Sequence, residues 1–232
     1  MKARLGFLLA LFLPELPLAP FHGGLAPSWA HLLGTDDLGR DALLRLLEAS
    51  ARSMGFASAC ALLALVLAWG LATTRVLREA GSALRSVPPL LFLLPLAAAS
   101  GGLGWAPLGL LLSALLALHL EPPLRVKVER LRLMPAWSAG RILGAGRVHQ
   151  LRGWLPWAWN EGLILLPSAW LGALWGEATL SALGLGPGPS HDSLGRLLQE
   201  ELPRLSTDPS PLGWAALAVV LLLAWSSQPE TP

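Results

Sequence analysis

The sequence predicts an all-α, polytopic membrane protein with about six transmembrane helices. Apolar residues occupy 53% of the 232 positions, only 14% are charged, and the mean hydropathy is +0.55. These values are too apolar for an ordinary soluble domain. Long uncharged runs alternate with short charged segments, and one such segment, 121–157, holds seven of the 17 Lys and Arg residues. A basic segment between apolar runs is typical of a cytoplasmic loop, because cationic loops resist translocation.

The charge and the cysteine content of the chain exclude several further classes of protein. The formal net charge is only +2, and the cations sit at the edges of apolar runs, so the pI near 9.3 indicates membrane topology rather than nucleic-acid binding. Cys60 is the only cysteine, which excludes an internal disulfide and a thiolate metal cluster. The chain contains no G-x-x-x-x-G-K-[ST] sequence, so it cannot form its own phosphate-binding loop.

Residues 1–30 are expected to form the first span and the start of an extracytoplasmic loop. Lys2 and Arg4 precede an apolar run at 5–13, which prolines then interrupt. A cleaved secretory signal has the same charged start and short apolar core and is the alternative. We favour an uncleaved span because no clean A-x-A site precedes His22.

Residues 31–52 are expected to form an amphipathic lead-in helix. We place Thr35 at its N-cap and Asp36 and Asp37 in its first turn, where the helix dipole favours carboxylates. Asp36 and Arg40 have the i, i+4 spacing of an ion pair on an exposed helix face. A second such pair and an apolar stripe follow along the chain: Glu48 with Arg52, and Leu43, Leu46 and Leu47.

Residues 53–227 are expected to hold five further spans, followed by a short cytoplasmic tail at 228–232. The 22 uncharged residues between Arg52 and Arg75 are long enough to cross about 30 Å of hydrocarbon. The next uncharged run is long enough for two spans, and the glycine-rich stretch at 100–104 divides it into a hairpin. The first helix of this hairpin should be kinked or broken by its prolines. The five predicted spans are 53–74, 87–99, 105–120, 158–185 and 212–225.

The distribution of cations orients this topology. Twelve of the 17 Lys and Arg residues fall on one side of the predicted spans and five fall on the other. The sequence therefore predicts that both termini and the basic segment are cytoplasmic, and that 14–52, 101–104 and 187–210 are extracytoplasmic.

Two acids, Glu161 and Glu177, fall inside the predicted span 158–185. A carboxylate inside a membrane span is energetically unfavourable unless it is paired with another polar group, protonated or in contact with water. Glu161 lies near the cytoplasmic end and is expected to be interfacial. For Glu177 two interpretations stay open: a buried, hydrogen-bonded acid at a helix crossing, which we favour, or a gate or pore residue.

Three segments, in this order, resemble the inner-membrane permease subunits of ABC importers for dipeptides, oligopeptides and nickel. They are HLLGTDDLGRD at 31–41, SAGRILGAG at 138–146 and GEATLSALGLGPGPSHDSLG at 176–195. In the second, Gly144 aligns with the glycine of the family's E-A-A-x-x-x-G motif, and Ser138 stands at the position of its acid. The residues of the first and third segments that match the family pattern are Gly34, Thr35, Asp36, Asp37, Gly39, Arg40, Asp41, Glu177, Ser181, Gly184 and Gly186.

The resemblance implies a multi-pass subunit of the cell inner membrane that works within an assembly. Its expected partners are a sister permease in a heterodimer, two cytoplasmic ATPase subunits, an extracytoplasmic solute-binding protein and the lipid bilayer, with no nucleic acid. ATP would be used by the ATPases, and this chain would bind no cofactor or metal. The loop expected to contact the ATPases comprises Ser138, Ala139, Gly140, Arg141, Gly144 and Ala145.

Two other functions stay open at this point. The missing acid at Ser138 supports a noncatalytic structural membrane subunit as a second hypothesis. A third hypothesis is a membrane-embedded enzyme that binds magnesium through Asp36, Asp37 and Asp41. Such chemistry normally needs carboxylates from more than one segment, and the sequence has no second Asp cluster. Capping and ion pairing are therefore the favoured roles of these aspartates.

Overall fold

The structure is a computed structural model, and it describes most of the chain. The described residues are 27–74, 85, 87–144, 146, 153, 159–160, 162–188, 192–203 and 211–226. The predicted first span, the tail 228–232, Ala145 and Glu161 lie outside the described residues.

Within the described ranges the chain is all-helical, and its only β-type pairing is an isolated bridge between Thr35 and Asp41. Two of the helices, α1 and α3, are long and apolar enough to cross a membrane, and α2 is apolar but shorter. The all-α prediction is therefore confirmed, whereas the number of six spans stays a prediction. The helices are α1 Ala42–Thr73, α2 Pro89–Ala99, α3 Trp105–Leu133, α4 Pro135–Ile142, α5 Leu166–Ala182, α6 Leu194–Glu201 and α7 Pro211–Ser226.

The predicted lead-in helix at 31–52 is wrong at its start. Helix α1 begins only at Ala42, and Asp41, not Thr35, caps it, because the backbone N–H of Leu44 donates to Asp41 Oδ1 at 3.0 Å. The lead-in and the second predicted span are one helix of 32 residues, about 48 Å long at 1.5 Å per residue. Its buried face also differs from the predicted stripe, because Leu47 is 57% exposed. In the part of the helix before residue 52, the buried positions are Ala42, Arg45, Leu46 and Ala49.

Contacts between residues divide the chain into two units, one comprising 1–54 with 178–232 and the other 55–177. In the first unit, α6 is the most strongly amphipathic helix, and it packs on α7. Its fully buried leucines, Leu194 and Leu197, join one apolar cluster with the start of α1 and the start of α7. The remaining members of this cluster are Ala42, Leu46, Ala49, Leu198, Leu212 and Ala216. Helix α6 was not predicted from the sequence.

In the second unit, α1 and α3 run parallel. A Cβ added at Gly109 of α3 would lie 3.6 Å from Cys60 of α1. Further along both helices, Arg125 of α3 donates to the carbonyl of Leu71 in α1 at 3.2 Å. Cys60 itself is buried.

Helix α5 runs antiparallel to α3 and approaches it through a G-x-x-x-G pair. A Cβ added at Gly172 would lie 2.8 Å from Leu116, and one added at Gly176 would lie 2.8 Å from Leu112. Such spacing of glycines allows close packing of membrane helices. This pair was not predicted from the sequence.

The basic segment 121–157 is not a loop throughout. Helix α3 continues to Leu133 with Pro122 and Pro123 inside it, so the predicted end of this span at residue 120 is too early. Arg125 and Arg132 donate to the last carbonyls of α1, Arg132 to that of Thr73 at 2.9 Å. These carbonyls have no partner within their own helix, so part of the positive charge here stabilises a helix end.

The predicted turn at 100–104 is confirmed. Helix α2 ends at Ala99, and α3 begins at Trp105 after Gly101 and Gly102, both with positive φ. The prolines act at the start of α2 rather than by breaking it, since Pro88 is the N-cap, Pro89 is the first helical residue and Pro95 lies inside. The helix has 11 residues, about 16 Å.

Candidate functional site

The GTDDLGRD segment forms a closed turn in front of α1. Thr35 is buried and pairs with Asp41 in the β-bridge, and the N–H of Asp36 donates to the carbonyl of Arg40 at 2.9 Å. Asp36 Oδ1 accepts the backbone N–H groups of Leu38 and Arg40 at 3.0 and 2.8 Å. The aspartates therefore organise their own backbone, as Asp side chains do in turns.

The other predicted residues of this motif occupy its edges. Gly34 and Gly39 have φ of 75° and 74°, which places both in the left-handed region where only glycine is unstrained. Asp41 Oδ2 lies 2.7 Å from His31 Nδ1. Asp37 is exposed. The predicted ion pair of Asp36 with Arg40 is confirmed at 2.8 Å, although it lies in a turn and not on a helix.

Arg45 joins this turn to a part of the chain about 150 residues away. Its guanidinium contacts Asp36 at 3.0 Å, binds both carboxylate oxygens of Asp192 at 3.0 and 3.1 Å, and contacts Glu200 at 2.9 Å. The Arg45 side chain is only 7% exposed. Glu200 also pairs with Arg196 at 2.9 Å. We call these six side chains the Arg45 network: Arg40, Arg45, Arg196, Asp36, Asp192 and Glu200.

The pKa values of two network carboxyl groups, Asp36 and Asp192, are lowered. The side-chain hydrogen bonds from Arg45 lower the pKa of Asp192 against the effect of burial. Burial raises the pKa of Asp36, but hydrogen bonds from Arg40 and the backbone N–H of Leu38 outweigh it, so that the net pKa is lowered. The hydrogen bond from His31 lowers the pKa of Asp41. Three arginines meet three acids, so the network is formally neutral.

These lowered pKa values predict how stability depends on pH. A carboxylate with a depressed folded-state pKa stabilises the fold above its unfolded pKa, and this contribution is lost as the pH falls through the folded pKa. We expect the thermal midpoint of the purified protein to vary little between about pH 7 and 5 and to fall below about pH 4. Asp192→Asn should show a smaller fall. A steep loss already between about pH 7 and 5 would contradict this assignment.

The third motif packs by close approach of its glycines. A Cβ added at Gly186 would lie 2.1 Å from Ser181 Oγ, and one added at Gly195 would lie 2.4 Å from the carbonyl of Ala178. Gly184 ends α5 with φ of 75°. Ser193 caps α6 by accepting the N–H of Arg196 at 3.3 Å, and Ser53 Oγ of α1 accepts the N–H of Leu194 at 3.0 Å.

The structure brings the first and third predicted motifs together, but the side chains that join them were missed. Arg45, Asp192 and Glu200 were not singled out from the sequence. One local signal was present: Arg45 has helical spacing to Ala42 and Ala49 and therefore shares their face. A charge on a buried helix face requires opposite charges nearby.

Glu177 and Ser181 lie in α5 and are both buried, Glu177 completely. This burial agrees with the first interpretation of Glu177, a buried acid at a helix crossing. The aspartates proposed for magnesium binding have other contacts, because Asp36 Oδ2 faces two guanidiniums and Asp41 contacts His31 and the helix start. A cation near Asp36 would meet the positive charge of Arg40 and Arg45.

The second motif overlaps the second half of helix α4, which packs on α3 and buries Trp137. Ser138 Oγ donates to the carbonyl of Pro135 at 2.7 Å, so it contributes to the first turn of this helix. The helix ends at Ile142, and Ile142 and Leu143 are 85% and 84% exposed. Gly144 follows with φ of 81° and open space around its Cα.

The other residues predicted for this loop lie in α4 or outside the described side chains. Ala139 is exposed and Gly140 is half-buried in α4. The backbone of Arg141 belongs to α4, its side chain lies outside the described part of the structure, and so does the whole of Ala145. The loop thus presents two large apolar side chains beside a glycine in the left-handed region.

Helices α1 and α3 are long and apolar enough to cross a membrane, as expected of a helical membrane protein. No protein-family model matches the chain. It is 34% identical over 213 residues to a peptide permease protein of Brucella suis biovar 1 (strain 1330), which covers 86% of this chain and 69% of the relative. A peptide permease protein of Brucella ovis is 33% identical with the same coverage. A peptide transport system permease protein of Brucella suis biovar 1 is 29% identical over 186 residues, 75% of this chain and 62% of the relative.

The chain therefore belongs to the family of peptide permease subunits of ABC transport systems. This confirms the resemblance drawn from the three motifs. It identifies the chain as a membrane transport subunit.

Proposed function

We propose that this chain forms half of the translocation pathway of an ATP-driven peptide importer. A sister permease supplies the other half, two cytoplasmic ATPases supply the energy, and an extracytoplasmic binding protein delivers the peptide. The chain crosses the cell inner membrane about six times with both termini in the cytoplasm. This arrangement consists of a first span at 1–30, a lead-in segment at 31–52, a five-span core at 53–227 and a tail at 228–232. The chain itself binds no metal or cofactor.

The directions of the helices support this topology. Helices α1 and α3 are parallel in their unit, and the arginines of α3 contact the last carbonyls of α1. Two parallel spans that follow each other require a crossing between them, and the apolar helix α2 lies between them in the chain. The antiparallel α5 crosses back again. The cations at the ends of α1 and α3 assign these ends to the cytoplasm.

The proposal that this chain couples to the ATPases rests on the exposed end of α4. Ile142 and Leu143 are the most exposed large apolar residues of the described basic segment, together with Leu133. Large apolar side chains exposed in a short loop helix are typical of a protein contact. Because α4 packs on α3, movement of a partner bound to Ile142 and Leu143 would pass directly to α3.

The test compares two loop variants with a matched control. Gly144→Trp introduces strain and bulk, and Arg141→Glu reverses the charge beside Ile142. We expect both to keep membrane insertion and pairing with the sister permease, and to reduce copurification of the ATPases and ATP-dependent peptide uptake by about tenfold or more. Gly101→Trp carries the same strain, because Gly101 has φ of 70° and open space. It lies in the turn on the opposite predicted side and should leave ATPase binding unchanged.

The same experiment decides between this function and the structural subunit. Ser138 stands where the family motif has an acid, which favours the structural subunit as a second candidate. Normal ATPase binding and uptake in both loop variants would show that the loop does not couple. Absence of uptake in the wild-type complex, with ATPases bound, would support the structural role.

A further inference from the structure

The Arg45 network has no role in the function proposed so far. It lies outside the coupling loop, and its central side chain is buried at 7% exposure. A buried guanidinium that contacts three carboxylates is unusual, since charged side chains are almost never buried unless paired. Its position therefore calls for a specific account.

Arg45 contacts both ends of α6. Asp192 lies just before the first residue of this helix, and Glu200 lies in its last turn. A contact at one end would leave a helix free to rotate or slide, whereas contacts at both ends define its rotation and axial position. The third contact, to Asp36, ties this position to the turn at the start of α1.

Apolar side chains of α6 also anchor it within the first unit. Leu194 and Leu197 are fully buried, and the N–H of Leu194 is satisfied by Ser53. A buried ion network adds little net stability over packed apolar residues, and its better attested effect is to select one arrangement. The network is thus suited to setting where α6 lies rather than whether it binds.

The polar face of α6 borders a cavity of about 380 Å³. Arg196 and Glu200 line this cavity on one side, and the turn formed by Gly184, Gly186 and Gly188 lines it on the other. Because Glu200 is shared between Arg45 and Arg196, a shift of α6 would change the shape of the cavity. The Arg45 contacts therefore control the geometry of this part of the chain.

We propose that Arg45 is a positioning residue for transport, which holds α6 and the glycine-rich turn in one arrangement on the extracytoplasmic side. This inference rests on the proposed importer function. The Arg45 guanidinium is held by three carboxylates, so its effect reaches the transport cycle through α6. The maximal rate of uptake then depends on Arg45, while the concentration of loaded binding protein needed for half-maximal uptake does not.

The test measures peptide uptake per assembled complex in vesicles that contain all partners. Arg45→Met keeps the length and removes the charge, and we expect the maximal rate per complex to fall about tenfold with unchanged half-saturation. Arg45→Lys should be intermediate, because a lysine cannot form the bidentate pair with Asp192. Arg52→Gln is the matched control. Arg52 lies two turns along α1 and makes only a 3.3 Å contact to the backbone of Asp192 and an exposed pair with Glu48.

The outcomes separate this inference from the proposed function. Wild-type uptake establishes the importer, and failure of the wild type to import with all partners present overturns the proposed function itself. Uptake in the wild type with an unchanged rate per complex in Arg45→Met, even at a lower amount of complex, shows a merely structural arginine and overturns the inference. An equal loss in Arg52→Gln, or a change confined to half-saturation, overturns it as well.

Discussion

Gly195→Ala is expected to destabilise the packing of α6 by about 3 kcal/mol. The added Cβ would lie 2.4 Å from the carbonyl oxygen and 2.6 Å from the Cα of Ala178. Both atoms belong to the backbone of α5, so the clash cannot be relieved by rotating a side chain. The change should appear as a lower thermal midpoint of the purified protein and a smaller yield of complex.

Gly188→Ala is the control for this prediction. Gly188 belongs to the glycine-rich turn before α6, and an added Cβ there would meet no atom within 4 Å. Its thermal midpoint should match that of the wild type. Equal effects of the two substitutions would show that close approach at Gly195 does not determine the position of α6.

The double substitution Gly172→Ile and Gly176→Ile is expected to separate α5 from α3, with a loss of about 3 kcal/mol or more. The added side chains would clash with the ends of the Leu116 and Leu112 side chains, each of which lies 2.8 Å from an added Cβ. These ends can rotate, so single alanines should have much smaller effects than β-branched residues. The measurement is thermal stability in detergent.

A compensating change distinguishes packing from other effects at these positions. Leu112→Ala and Leu116→Ala remove the side chains that meet the new groups, and they should restore part of the stability in the quadruple variant, as an interaction energy in a mutant cycle. Gly70→Ile is the matched control, because Gly70 of α1 has no atom within 4 Å of an added Cβ. Absence of any compensation would contradict the assigned contact.

Local patterns were sufficient to predict much of the helical structure. The uncharged run after Arg52 falls inside α1, the turn at 100–104 ends α2, and the last predicted span at 212–225 corresponds to α7. These features depend on hydrophobicity and on turn-forming glycines, which act over a few residues. The ion pair of Glu48 with Arg52 follows from the same local geometry and is present at 3.1 Å.

The start of α1 was predicted wrongly because two helix-start signals compete in GTDDLGRD. Thr35 followed by two acids has the composition of an N-cap, but Gly39 allows the chain to turn back, and Asp41 then caps the helix. The error at the end of α3 has a similar origin. Pro122 and Pro123 and the following charges suggest a loop, whereas Glu121 and Arg125 pair on the helix itself and Arg85 also contacts Glu121.

The Arg45 network was beyond prediction for a different reason. Its partners Asp192 and Glu200 are about 150 residues away in the sequence, and nothing in local spacing identifies which acids will reach a given arginine. The glycine contacts of the third motif depend in the same way on tertiary packing. The motif residues marked the right segments, while the side chains that connect them required the structure.

The topology is the central claim, and sided cysteine labelling tests it most directly. Ser193 lies in the predicted extracytoplasmic segment 187–210, but it is buried and caps α6. Leu38, which is 75% exposed, is therefore the better labelling site on that side. Leu38→Cys and Ser138→Cys are made separately in a Cys60→Ala background and treated with a membrane-impermeant maleimide. We expect Leu38→Cys to react in intact cells and Ser138→Cys to react only after the membrane is opened. Reaction of both variants from the same side would contradict the permease topology proposed for this chain.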